Sequence, residues 1–263
     1  MTLRLRSAVL VLSAALLGAG AAAPAFAQSP APLQIEAEYS ASVWAIPVGK
    51  VAFEASLGPA RYEARAESQA AGLAALFTDI RIVSEVEGAV AGGRARPQRY
   101  AHDEFNGRKH RRVDMSFEGR VARSEATPTF SNWGEPPASD ADRTGAIDPM
   151  TAVFMLAQSM TGAAPCSGHL PVFDGRLRYN LNLRARGVQP VRTAAWRGEA
   201  LVCDAFYEPI SGYTDEQRPE PRELRHPLTL WLAPLEGGRH LPVKAQTRAG
   251  FGATIELRSL EMR

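Results

Sequence analysis

The chain has 263 residues, with 30 Lys+Arg against 28 Asp+Glu and a formal net charge of +2. So even a balance gives no support to nucleic-acid binding, which needs a strong excess of positive charge. Beyond the N-terminal segment, no run approaches the roughly 18 apolar residues of a membrane-spanning helix, so no membrane span is expected.

Residues 1–27 have the layout of a cleaved export signal. Arg4 and Arg6 form a positive start, AVLVLSAALLGAGAAA is the apolar stretch, and Ala25-Phe26-Ala27 supplies small residues before Gln28. Removing this segment takes away two Arg and no acid, leaving a net charge of zero. The expectation is a periplasmic protein, with residues 28–263 forming a single β-rich domain. Both cysteines, Cys166 and Cys203, fall in the exported part. In an oxidising compartment the plain reading is a disulfide, worth ~4 kcal/mol in the chain-entropy picture. The alternative takes Cys166-Ser167-Gly168-His169 as a thiol beside an imidazole, a nucleophile with its base.

Strict alternation begins at Leu33. Leu33, Ile35, Ala37, Tyr39, Ala41 and Val43 share one face and Gln34, Glu36, Glu38, Ser40 and Ser42 the other, the period of a half-buried strand. Pro47-Val48-Gly49-Lys50 interrupts it, and Val51, Phe53, Ala55 and Leu57 resume it up to a Gly58-Pro59 turn. Tyr62, Ala64, Ala66 and Ser68 make a third strand, so an antiparallel meander is expected. Gly72-Leu73-Ala74-Ala75-Leu76-Phe77 breaks the pattern as a short helical or irregular apolar crossing. Strand character returns at Ile80–Val86 and again up to Phe105. Asn106-Gly107 is the strongest hairpin signal in the chain. Its return strand carries Arg111, Val113, Met115 and Phe117 on one face.

Arg108-Lys109-His110-Arg111-Arg112 is the densest basic run. It is either a solvated hairpin arm whose charges protect an edge, or a contact for an anionic surface through Arg108, Lys109, Arg111 and Arg112. Residues 131–146 form a long turn-rich loop, either lid or slack, with Trp133 its one large apolar residue. A helix follows over about 148–160. Asp148 suits the N-cap, Pro149 the first turn, and Val153, Phe154, Leu156, Ala157 and Met160 an apolar face, with Gly162 and Pro165 beyond the end. Asp174-Gly175 turns a second hairpin, and strands continue through VRTAAW and ALVCDAFYEPI, separated at Arg197-Gly198. A second polar loop spans 211–226, and further strands run from LTLWL to the end. The fold class is mainly β: an antiparallel, strongly curved open barrel or β-spiral with one covering helix.

Three clusters invite a family comparison. They are Ile46-Pro47-Val48-Gly49 with Phe53, Tyr62 and Ala71-Gly72-Leu73; Asp148-Pro149 with Val172-Phe173-Asp174-Gly175-Arg176; and Trp231-Leu232 with Leu241-Pro242-Val243-Lys244 and Phe251-Gly252. Together they resemble the proteobacterial periplasmic domain-of-unknown-function family 3108, over nearly the whole exported chain. The resemblance implies no enzymatic activity. By looser analogy of fold, the pattern is similar to LolA/LolB-like lipoprotein carriers and periplasmic β-spiral envelope proteins.

Catalytic motifs are missing from the sequence: no G-x-S-x-G elbow, no H-E-x-x-H, no phosphate loop and no dinucleotide glycine fingerprint. The histidines His102, His110, His169, His226 and His240 show no zinc-ligand spacing. Glu36 with Glu38 is the remaining acid/base candidate and His102-Asp103-Glu104 a metal or acid/base candidate, and for both an exposed strand face is the commoner reading. No metal or cofactor is expected. The functional expectation is a non-catalytic envelope protein that binds a lipid or another hydrophobic ligand, an envelope protein or a polysaccharide. A structural or interaction module, and an envelope-polymer hydrolase, are the alternatives.

Overall fold

The computed structural model describes residues 31–92, 94–157, 166–250 and 252–263. Strands β1 (Leu33–Val43), β2 (Ile46–Leu57), β3 (Arg61–Ala70), β4 (Arg81–Ala91), β5 (Arg94–Asn106), β6 (Lys109–Glu118) and β7 (Val121–Thr127) come first. Helices α1 (Asp140–Arg143) and α2 (Pro149–Ala157) follow. Then come β8 (Ser167–Phe173), β9 (Arg178–Arg192), β10 (Arg197–Ser211), the short helix α3 (Pro221–Leu224), β11 (Leu228–Pro234), β12 (His240–Thr247) and β13 (Ala253–Met262).

All the strands belong to one 13-stranded sheet in the order β7-β6-β5-β4-β3-β2-β1-β13-β12-β11-β10-β9-β8. Each half is a meander, and the halves meet where β1 pairs antiparallel with β13, from Ile35 opposite Met262 to Ser42 opposite Thr254. Register shifts at Glu38/Tyr39, Glu87/Gly88 and Trp231/Leu232 bend the strands, because an extra residue on one strand sharpens local twist. The sheet curls until its edges, β7 and β8, approach. The chain between them splices the gap: Gly145 donates its N–H to Arg120 O (2.7 Å), Ile147 to Pro171 O (2.8 Å), and Phe173 to Ile147 O (2.9 Å). The result is a nearly closed barrel.

Small inward residues decide what fills it. Ala37, Ala55, Ala64, Ala122 and Ala126 are all buried on the wall of the first seven strands, leaving room that a packed interior must occupy. Helix α2 occupies it, approaching β4, β5, β8 and β12. Its Phe154 ring sits 5.2 Å from Tyr62 and 6.2 Å from Phe53. Tyr62 in turn lies across Gly88, where an added Cβ would come within 2.5 Å of the phenol ring. A second cluster joins Ala152 and Leu156 to Leu170, Val172, Cys203, Ala205, Leu230 and Leu232.

Several boundaries differ from those expected. The first hairpin turns at Trp44-Ala45, and β2 runs unbroken through Pro47. Proline is tolerated there because the pairing of β2 with β3 reaches only as far as Gly49, so the missing N–H interrupts no ladder on that side. The turn before β10 falls at Thr193–Trp196, closed by Thr193 N–H to Trp196 O at 2.8 Å, rather than at Arg197-Gly198. Strand β7 was unforeseen. On α2, Ala152, Phe154 and Leu156 face inward while Val153 is exposed, since the helix is buried from more than one side. The expected helix end at 158–160, Gly162, Pro165 and Phe251 lie outside the described residues.

Candidate functional site

The arrangement most able to meet another molecule lies at one end of the barrel. Four of the connections at that end adjoin one another: the β1–β2 turn, the β3–β4 loop, the tip of the β5–β6 hairpin and the β12–β13 turn. They support one another. Ala71 donates its N–H to Val48 O at 3.0 Å, and Gly72 packs so tightly on Pro47 that a Cβ would sit 2.5 Å from its carbonyl oxygen. Gly107 donates its N–H to Asp79 Oδ1 at 2.7 Å, seating the β5–β6 tip on the β3–β4 loop. Trp44 and Arg248 line one depression of about 580 Å³.

The apolar side chains on this rim point outward. Phe77 is 87% exposed, Trp44 75%, Leu76 74%, Leu73 58% and Ile46 44%. Single exposed apolar residues are ordinary on a protein surface, but five on adjoining loops make a patch. Trp44 and Ala45 both have positive φ, at 49° and 66°. A two-residue hairpin of this kind suits Asn-Gly, and each L-residue held there costs about 1–2 kcal/mol.

The structure divides the basic run. Arg108 and Lys109 are exposed at the rim. Arg112 is clamped by Asp103 (2.5 Å) and Asp114 (2.7 Å) on the outer wall. Arg111 turns to the other face and stacks over Phe130, its guanidinium carbon 4.7 Å from the ring centre. Arg176 lies over the same ring at 5.5 Å. The larger depression, about 860 Å³ on the outside of β1–β7, is floored by paired charges such as Arg65, Glu85, Arg99 and Glu87. Such exposed pairs contribute little each.

Cys166 and Cys203 stand at disulfide distance, Cα atoms 5.7 Å apart, where the chain returning from α2 enters β8. His169 lies on β8, exposed and opposite Asn182. Glu36 and Glu38 are both exposed on β1. His102 faces inward, its ring parallel to that of Tyr100 at 6.4 Å and its Nδ1 3.0 Å from Ser84 Oγ.

The interior holds a polar chain that sequence reasoning missed except at its end. Asp148 caps α2 by accepting the Thr151 N–H (2.8 Å), and also accepts the Thr151 hydroxyl (2.6 Å). With that proton committed, Thr151 Oγ1 accepts from Tyr62 OH at 2.7 Å. Asp148 and Thr151 are fully buried. Burial pushes the Asp148 carboxyl up to about 6, with the bonds from Thr151 opposing the rise. Burial likewise raises Asp174, against the N–H bonds it accepts from Arg176 (2.9 Å) and Leu177 (2.7 Å). The signal for this chain was the N-cap pattern at Asp148; nothing local marks Tyr62 as its terminus. Among the described residues, no group of three or more His, Cys, Asp or Glu could hold a metal ion, and no helix is long and apolar enough to cross a membrane.

A meander sheet rolled around one helix, with polar chemistry inside and apolar loops at one end, defines a β-barrel-like protein. A crystal structure of a β-barrel-like protein of the domain of unknown function DUF1849 from Brucella abortus has this fold. It superposes with a TM-score of 0.54 over 90% of this chain and 100% of that one, at 11% identity. The family described as "Protein of unknown function (DUF3108)" matches residues 36–258, and the chain belongs to it. No curated protein matches the chain.

Proposed function

We propose that this chain is a non-catalytic periplasmic envelope protein, folded as one domain over residues 28–263, that engages a hydrophobic envelope component through its apolar rim. The observation that carries this reading is the exposure of Trp44, Ile46, Leu73, Leu76 and Phe77 on adjoining loops. A contact site of this kind is favoured over ligand carriage in the interior, because α2 and its Phe154 already occupy the space the small wall residues leave. The Cys166–Cys203 pair serves as a structural bond and fits an oxidising compartment.

A photo-crosslinking residue placed at Phe77, with a second at Val188 on β9 as control, tests the reading in living cells. Val188 is 60% exposed on the barrel wall, away from the rim. The expected result is an adduct from position 77 alone, whose mass identifies an envelope lipid or envelope protein. Equal labelling from both positions, or none from position 77, overturns the proposal.

A further inference from the structure

The rim residues also carry a charge pattern. The loops 43–47, 70–80, 106–109 and 247–253 contain three cations, Arg108, Lys109 and Arg248, and one carboxylate, Asp79. That carboxylate is engaged by the Gly107 N–H. All three cations are exposed, and they flank the apolar loops: Arg108 and Lys109 through the β5–β6 tip seated on Asp79, Arg248 through the depression it shares with Trp44. Part of the outer wall differs. Arg65, Arg81, Arg99 and Arg112 are each paired with carboxylates along the strands.

Resting on the reading of the rim as the contact site, we infer that the surface it meets is an anionic phospholipid leaflet, approached end-on. Three features agree. Leu73, Leu76 and Phe77 stand exposed on a loop and line neither depression, so they suit insertion between headgroups better than the grip of an extended peptide or an acyl chain. The apolar rim residues include Trp, which settles at the boundary of headgroup and hydrocarbon, and Phe and Leu, which bury on the apolar side of it. The cations stand beside the apolar tips, so inserting the tips brings them to the height of lipid phosphates. Weak apolar insertion plus a few cations is the two-signal arrangement that gives reversible attachment, since neither contribution suffices alone.

The test uses the chain as isolated from cells and two kinds of vesicle: phosphatidylcholine alone, and phosphatidylcholine mixed with phosphatidylglycerol. Co-sedimentation gives the partition coefficient. The wild-type chain should bind the anionic vesicles, with binding falling steeply as salt is raised, and the neutral ones far more weakly. Replacing Arg108, Lys109 and Arg248 together by Ser should lower anionic binding by about a hundredfold, at roughly fivefold per cation. Leu76→Ser with Phe77→Ser should abolish sedimentation with both vesicles. Unchanged far-ultraviolet circular dichroism and thermal midpoint verify that both variants are folded. Equal binding to the two vesicle types, or no loss on removing the cations, overturns the anionic-leaflet inference. So does an absence of binding to either; in that case an adduct formed at Phe77 with an envelope protein in cells leaves the broader reading standing, whereas no adduct removes both.

Discussion

The interior and the rim of this barrel depart from the usual sorting of residues in opposite directions. Inside, a carboxyl, a threonine hydroxyl and a phenol lie in line among Phe53, Phe154 and the alanines of the wall. At the rim, Trp44, Leu76 and Phe77 stand in water. The interior departure is compensated locally, because each donor in the chain from Tyr62 to Thr151 to Asp148 has an acceptor, and satisfied polar groups cost far less to bury than orphaned ones. At the rim the apolar surface stays exposed, with Phe77 at 87% and Leu76 at 74%. A buried polar chain is therefore complete as it stands, whereas an exposed apolar patch points to a second molecule.

This contrast can be attacked from either side. The largest effect is expected at the Cys166–Cys203 bond, which spans 37 residues of sequence and ties the start of β8 to β10. Reduction, or Cys166→Ser with Cys203→Ser, should lower stability by ~4 kcal/mol while leaving rim contacts intact in the cold. Thermal unfolding together with crosslinking at Phe77 checks both halves, and free thiols in protein isolated from an oxidising compartment would show the bond to be dispensable.

Next in size is Asp148. Its carboxyl titrates at about 6 in the fold against an ordinary 3.8, so the folded chain holds the proton more tightly than the unfolded one. The carboxyl therefore favours the fold most below pH ~4, and that contribution is lost as pH rises through about 6, on the order of 3 kcal/mol in all. Asp148→Asn keeps an oxygen to cap α2 and should flatten the dependence of stability on pH across that window relative to wild type. Urea unfolding at a series of pH values measures it, and an unchanged slope would refute the assignment.

The smallest expected effect is a gain. Trp44→Asn with Ala45→Gly supplies the residues that positive φ favours and should raise stability by ~2 kcal/mol, measured as a higher unfolding midpoint. The same change deletes one apolar tip, so stability and surface contact should move in opposite directions. A midpoint that stays put would mean the turn carries no strain.

The strands were legible where large residues alternate, as in β1 with Ile35 and Tyr39, and the hairpins where Asn106-Gly107 and Asp174-Gly175 announce a turn. Strand β7 was hidden because its inward residues, Ala122, Ser124 and Ala126, are too small to give a hydrophobic period. The Trp44-Ala45 turn was hidden because neither residue normally accepts positive φ, and Pro47-Gly49 nearby offered the better signal. At the site, the basic run was visible, but its division was not. Adjacent residues on a strand face opposite ways, so Arg111 reaches Phe130 while Arg112 meets Asp103 and Asp114. The assembly of the rim was beyond local reading, since Trp44 and Arg248 become neighbours only when β1 and β13 pair.

The splice at Gly145–Ile147 gives the wall a place to tear. It rests on the N–H groups of Gly145, Ile147 and Phe173, and α2 begins at Pro149, two residues further along. A crack opened there would reach the first turn of the plug next, so wall and contents would loosen together. The bridge from Cys166 to Cys203 would then be the tether that keeps the far end of that segment on β10.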